Sequence, residues 1–117
     1  ENIVFPNNEF DKDEINELLK ILEIDEEHGF FFNSSSKIGS NGKKLSGGQQ
    51  QKIRLARVFY SNRSFIFLDE PSNGLDKKSE ERIFKKLKEK FRNKTVVYIT
   101  HSSFMQSLSD VNINLFN

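Results

Sequence analysis

The chain has 117 residues, no cysteine, and 18 Lys plus Arg against 17 Asp plus Glu, a formal net charge of +1 at pH 7. This balance gives no electrostatic argument for binding nucleic acid or an acidic membrane surface, and the lack of cysteine excludes disulfides and thiolate metal sites. No apolar run approaches the roughly 18 residues that a membrane-spanning helix needs. The length predicts one domain. Because the chain opens on Glu1 without a turn or cap, we expect a piece of a longer polypeptide.

The first regular element predicted is a helix from Asp11 or Asp13 to about Ile24. Acidic residues crowd its first turn, where the helix dipole favours them. The apolar residues recur at helical spacing, at Ile15, Leu18, Leu19 and Leu22. Residues 33–44 are rich in Ser, Gly and Asn and are predicted to form a loop.

A second helix is predicted to begin at Ser46, just before Gly47 and Gly48, and to run to about Tyr60. Serine is a strong N-cap residue, and the two glycines leave the first backbone N–H groups open to an anion such as phosphate. A plain capped helix with a flexible lead-in is the structural alternative. The predicted apolar face contains Ile53, Ala56 and either Phe59 or Tyr60.

The apolar run at residues 65–68 is too short for a helix and predicts a strand buried on both faces, as in parallel α/β sheets. It ends in Asp69 and Glu70, at the edge where such sheets bind ligands. Adjacent strand residues point in opposite directions, so we expect different roles for these two carboxylates. Surface acids at a strand end are the structural alternative.

The rest of the sequence continues an α/β pattern. Residues 71–76 have turn composition, and residues 77–91 predict an amphipathic helix that buries Ile83, Phe84, Leu87 and Phe91. A second buried strand, strongly β-branched, is predicted at 95–100 and ends before His101, and a short helix is expected from Ser102 or Ser103 to about Leu108. Alternation at Val111, Ile113 and Leu115 predicts a third, half-buried strand. This order indicates a parallel sheet with helical crossovers.

Several of these segments resemble motifs of the ATP-binding-cassette (ABC) ATPases, and they occur in that family's order. Leu45 to Gln49 resembles the signature motif, and Phe65 to Glu70 resembles the Walker B strand. Asn73 to Asp76 resembles the D-loop, and Thr100 with His101 resembles the H-loop. The resemblance implies an α/β fold, a partial P-loop NTPase core with flanking helices, preceded by a helical subdomain. It places the helical signature subdomain at residues 1–60 and the later part of the core ATPase lobe at 61–117.

Two further segments are similar to exporter-type members. Asn2 to Phe5 resembles the stretch after the Q-loop, and Lys37 to Gly42 lies where exporters have a loop that touches the membrane domain, although the usual acidic residue is missing. No Walker A loop, G-x-x-x-x-G-K-[ST], occurs in the sequence. The resemblance places it, with the Q-loop glutamine, before Glu1. We therefore expect this chain alone to bind ATP poorly and to be inactive.

The resemblance also implies roles for individual residues at a head-to-tail dimer of two nucleotide-binding domains. The signature residues Ser46, Gly47, Gly48 and Gln49 would face the γ-phosphate of ATP held by the partner, and Asn73 and Asp76 would belong to the D-loop that crosses to it. On the chain's own side, Asp69 would hold Mg²⁺ through water, Glu70 would activate the attacking water, and His101 would contact the γ-phosphate. His101 could instead be a structural residue, and Asn73 only part of a turn.

The implied function is ATP hydrolysis that drives transport, with a transmembrane domain as a further partner, no nucleic acid, and a location at the cytoplasmic face of a membrane. The lobe of a chromosome-maintenance or DNA-repair ATPase is an alternative, but the long coiled-coil heptads that precede such lobes are missing. A non-catalytic module that supplies its signature face to another subunit is the third hypothesis. Without the strand that feeds the Walker A loop, we expect the apolar strands at 64–68 and 95–100 to leave an unpaired apolar edge that favours aggregation or swapped assembly.

Overall fold

The computed structural model describes residues 12–24 and 46–115. In this part of the chain the elements are α1 (Lys12–Ile21), α2 (Gly47–Tyr60), β1 (Phe65–Asp69), α3 (Lys77–Lys90), β2 (Thr95–Ile99) and α4 (Ser103–Leu108). The predicted helices and the first two predicted strands are therefore confirmed to within a few residues. The exporter-like segments at residues 2–5 and 37–42, together with Leu45, lie outside the described residues. None of the described helices is both long enough and apolar enough to cross a bilayer.

The two strands form a parallel pair, with α3 as the crossover between them. The register runs from Phe65 opposite Thr95 to Asp69 opposite Ile99. The backbone N–H of Glu70 donates to the Ile99 carbonyl at 2.8 Å, which extends the pairing one residue past the end of β1. This arrangement confirms the predicted parallel α/β pattern and leaves both strands ending at the same edge.

The four described helices and β1 contribute to one apolar core. The Phe59 ring of α2 and the Phe91 ring after α3 lie 4.8 Å apart between centroids. The predicted burial of Ile83, Phe84 and Leu87 of α3 is confirmed. The other buried core residues are Ile15, Leu18, Leu22, Leu55, Ala56, Ile66, Leu68 and Met105. The core therefore joins residues on both sides of position 60, and the division into two subdomains remains a prediction.

The prediction that the strands are buried on both faces is wrong for this chain. Ile66 and Leu68 are buried under the helices, whereas Phe65 and Phe67 are 58% and 57% exposed. On β2, Val97 and Ile99 are also exposed. Strand side chains alternate between the two faces of a sheet, and the described helices cover only one of them. The continuous apolar run therefore has one covered face and one open apolar face.

The prediction of a third strand is also wrong, because residues 111–115 form no strand and Ile113 is 80% exposed. A strand needs a ladder partner, whereas here polar side chains hold the chain by local bonds. The Asn112 amide donates to the Gln106 carbonyl at 3.0 Å, and the Ser109 hydroxyl lies 2.7 Å from the Asn112 carbonyl oxygen. Lys88 of α3 contacts the Leu108 carbonyl. None of these bonds pairs residues 111–115 with β1 or β2, the two strands of the described sheet.

Candidate functional site

The start of α2 has the capped geometry that the sequence predicts. The Ser46 hydroxyl oxygen accepts from the Gln49 N–H at 3.1 Å, and the Gln49 side chain accepts from the Ser46 N–H at 2.8 Å. This is a complete capping box. The N–H groups of Gly47 and Gly48 belong to the first helical turn, where no carbonyl within the helix can accept from them. Their donors, together with the positive end of the helix dipole, suit an anion.

The loop after β1 packs directly on this helix start. A Cβ at Gly48 would lie 2.8 Å from the Gly74 carbonyl oxygen, whereas a Cβ at Gly47 would meet nothing within 4 Å. Gly74 has a φ of 85°, a left-handed conformation that favours glycine. The Gln51 side-chain amide donates to the Pro71 carbonyl at 2.8 Å and fixes the same loop further along α2. Gly48 is thus required by close packing, a reason that the sequence pattern did not reveal.

Asp76 ends this loop and caps α3. One carboxylate oxygen accepts from the Ser79 N–H at 2.8 Å, and the other accepts from the Ser79 hydroxyl at 3.0 Å. These two hydrogen bonds, the backbone bond first, lower the pKa of Asp76 below its ordinary value, and the charge of Arg82 adds to the effect. The carboxylate therefore stays ionised and oriented at the end of the loop.

Most of the predicted signature and D-loop residues line one surface groove between the N-termini of α2 and α3. Lys52, which sequence reasoning did not single out, adds a positive charge to this groove. The lining residues are Ser46, Gly47, Gly48, Gln49, Lys52, Gly74, Leu75, Asp76 and Ser79. Lys52 follows the signature by one helical turn, and that spacing was the available signal. Asp69, Glu70 and His101 do not line the groove.

A second group of predicted site residues lies at the end of the sheet. Glu70 has a φ of 46°, so strand geometry ends at Asp69, and the Glu70 carbonyl accepts from the Asn73 N–H at 3.0 Å. This turn places Glu70 Oε1 3.4 Å from His101 Nε2, and the His101 side chain is 93% exposed. Asp69 is exposed at the end of β1. The left-handed backbone at Glu70 is the kind of local strain that accumulates at functional sites.

The family model described as "ABC transporter" matches residues 2–73, more than half of the chain. The chain belongs to the ABC transporter family. Its fold is accordingly part of an ABC ATPase cassette, which has a P-loop NTPase fold, and complete ATP-binding domains of this family hydrolyse ATP. The α/β fold expected from the sequence is confirmed.

Named relatives are transport proteins. An export ATP-binding/permease protein of Rickettsia conorii is 39% identical over 101 residues, which cover 86% of this chain and 18% of that protein. The lacticin-481/lactococcin-DR transport/processing ATP-binding protein of Lactococcus lactis is 38% identical over 109 residues, which cover 86% of this chain and 15% of that protein. The chain thus spans less than a fifth of the length of these curated relatives.

Solved cassettes have the same fold. A dimeric bacterial ABC transporter cassette is 31% identical with a TM-score of 0.61, and the match covers 84% of this chain and 40% of that one. A post-hydrolysis state of an ATP-binding cassette, bound to ADP and phosphate, is 31% identical with a TM-score of 0.62, covering 84% of this chain and 40% of that one. Both likenesses place the described elements within a nucleotide-binding cassette.

Proposed function

We propose that this chain is the later part of an ABC transporter nucleotide-binding domain and contributes to two different ATP sites of a head-to-tail dimer. Residues 1–60 would form the helical signature subdomain and residues 61–117 the later part of the core ATPase lobe. In the assembled transporter, ATP hydrolysis would drive transport through a transmembrane domain. The cassette would then lie at the cytoplasmic face of the membrane.

One observation gives the strongest support for contributions to two different ATP sites. The signature residues share a groove with Gly74 and Asp76, whereas Glu70 and His101 meet at the end of the sheet, apart from that groove. A single site would need both groups to face one phosphate. Two groups of different chemistry suit a composite site in which each group serves a different nucleotide, and the dimeric form of a related cassette agrees with this arrangement.

The groove would act on the partner's nucleotide. Gly47 and Gly48 present backbone N–H donors, and the Ser46 hydroxyl, whose oxygen already accepts from Gln49, keeps its hydrogen for a phosphate oxygen. A helix N-terminus contributes about 0.3–1 kcal/mol toward a facing anion, and up to about 2 kcal/mol when partly buried. Asn73 and Asp76 would approach the same interface from the D-loop.

The second group would act on the chain's own side. Glu70 would orient the attacking water and accept its proton, a role typically worth about 10²–10⁴-fold in rate. His101, 3.4 Å from the Glu70 carboxylate, would donate to the γ-phosphate and fix the geometry of that carboxylate. Both residues follow strands that end at the same sheet edge, which keeps their backbones in a fixed relation.

The residues present fit a magnesium ion of the kind that nucleotides bring. Mg²⁺ in nucleotide sites keeps several waters and is held by one or two carboxylates together with phosphate oxygens. Asp69 offers one exposed carboxylate at the strand end, and the described residues contain no group of three or more His, Cys, Asp or Glu side chains that could hold a metal without a substrate. The ion would neutralise charge on the phosphates, and Asp69 would hold its water shell in place.

The test is Glu70→Gln in a complete cassette that contains this sequence. The amide cannot accept a proton, so we expect ATP binding to remain and steady-state turnover to fall at least about a hundredfold. Glu89→Gln, an exposed change on the outer side of α3, is the matched control and should leave turnover unchanged. Turnover near the wild-type rate in the Glu70 variant would contradict the assignment.

A further inference from the structure

α1 ends in a left-handed residue, a position that glycine usually occupies. The Ile24 N–H donates to the Leu19 carbonyl at 2.9 Å, and the Glu23 N–H donates to the Lys20 carbonyl at 3.1 Å. Such a helix end needs a left-handed residue, and Glu23 occupies it with a φ of 57°. A side chain there is strained, since only glycine adopts this conformation freely. The Glu23 side chain makes an interaction with α3 that can offset this strain.

That interaction is a two-pronged ion pair with α3. Arg82 Nε lies 2.8 Å from Glu23 Oε2, and Arg82 Nη2 lies 2.9 Å from Glu23 Oε1. This hydrogen-bonded pair lowers the pKa of Glu23 and raises the pKa of Arg82. Lys52 Nζ of α2 donates to the Glu23 carbonyl at 3.4 Å. Glu23 thus connects the end of α1 with both α2 and α3.

Arg82 continues this connection toward the D-loop. Its Nη2 also donates to the Ser79 hydroxyl oxygen at 3.3 Å, and Ser79 is buried. A hydroxyl has one hydrogen, and a guanidinium can only donate. With Arg82 donating to its oxygen, Ser79 must direct its own hydrogen elsewhere, and Asp76 Oδ2 receives it at 3.0 Å.

We propose that Arg82 is a positioning residue for the D-loop: anchored by Glu23, it orients the Ser79 hydroxyl and thereby holds the Asp76 carboxylate beside the signature groove. The importance of Asp76 for the ATP site rests on the proposed function, but the positioning itself does not. The alternative is that Arg82 and Glu23 only clamp α1 to α3 and leave Asp76 unaffected.

The test is an NMR titration of the Asp76 carboxyl carbon in the 117-residue chain, without nucleotide. Glu23→Gln separates positioning by Arg82 from a purely through-space effect by the sign of the change in the pKa of Asp76, and no change is expected if the pair only clamps α1 to α3. If Arg82 acts on Asp76 only through space, removing the negative charge of Glu23 lowers the pKa of Asp76. If Arg82 must be anchored in order to hold Ser79, the same change removes the charge and one of the two acceptor oxygens of the anchor, weakens the Ser79 bond and raises the pKa of Asp76 toward its ordinary value.

Arg82→Met is the second variant, because methionine keeps much of the side-chain bulk but has no donor. It should also raise the pKa of Asp76 and speed amide exchange at Ser79. Lys88→Gln is the control, because Lys88 lies on the same helix as Arg82 and pairs with Asp110 at 3.1 Å. It should change neither the pKa of Asp76 nor amide exchange at Ser79. Circular dichroism confirms that each variant compared is folded.

A higher pKa of Asp76 in both Glu23→Gln and Arg82→Met, with no change in Lys88→Gln, supports the proposal. An unchanged or lowered pKa of Asp76 in Glu23→Gln overturns it, as does an unchanged value in Arg82→Met. Because no nucleotide is present, these outcomes differ from a failure of the proposed function, which would appear as normal turnover in the Glu70 variant of the complete cassette.

Discussion

Replacing Gly48 with alanine tests whether the signature helix needs glycine for packing. A Cβ at this position would lie 2.8 Å from the Gly74 carbonyl oxygen, 0.6 Å short of the 3.4 Å at which ordinary contact begins. The obstacle is backbone, and the Gln51 amide holds the same loop to α2 through the Pro71 carbonyl. The helix start and the loop must therefore separate for alanine to fit.

The expected cost follows from two opposing effects. Overpacking in a well-packed region costs typically about 1–3 kcal/mol, while alanine in place of glycine regains up to about 1 kcal/mol of helix propensity. We expect a net loss of about 1–2 kcal/mol in the free energy of unfolding. In a chain of this size, that corresponds to a fall of roughly 4–8 °C in Tm.

Gly47→Ala is the matched control, since a Cβ there meets nothing within 4 Å. It should leave the free energy of unfolding unchanged or slightly raised. Both variants can be compared by urea unfolding followed by circular dichroism, with the midpoint and the slope fitted separately. If Gly48→Ala proved as stable as Gly47→Ala, the close approach to Gly74 could not be the reason for glycine at position 48.

Three further predictions follow from the same contacts. Ser46→Ala should destabilise α2 by about 1 kcal/mol through loss of its cap, measured by the same unfolding curves, with Ser46→Asn close to wild type. Folding lowers the pKa of Glu23, so the ionised carboxylate stabilises the fold above its ordinary pKa, and this stabilisation is lost as the pH falls through the folded-state pKa. Tm measured at decreasing pH should therefore fall in the wild type and fall less in Glu23→Gln. Phe67→Lys, on the open apolar face, should reduce any self-association seen by sedimentation, and unchanged association would place the contact elsewhere.

Local sequence signals predicted the elements well because their causes are local. Ser46 and Gln49 are three residues apart, so their capping box is visible in the sequence. The helical spacing in α3 likewise identified its buried face. The turn composition between Glu70 and Asp76 matched a turn in the structure. Each of these depends on residues within about one helical turn of each other.

The failures come from contacts that are distant in sequence. An apolar strand does not reveal how many of its faces are covered, and Phe67 is exposed although its neighbours Ile66 and Leu68 are buried. Alternation at residues 111–115 predicted a strand, but a strand also needs a distant ladder partner, and the described sheet contains only β1 and β2. The pairing of Glu23 with Arg82 spans 59 positions and has no local pattern. Only the packed structure brings such residues together.

The central claim, that the signature and Glu70 serve different nucleotides, is tested most directly with mixed dimers of complete cassettes. Ser46→Arg disables the signature, and Glu70→Gln disables the water-activating carboxylate. Placed in different subunits, both changes fall on one ATP site and leave the other intact. Placed in the same subunit, they damage both sites. Single-turnover hydrolysis of bound ATP should therefore survive at one site in the first dimer and be lost in the second; the reverse pattern, or equal loss in both dimers, would contradict the composite site.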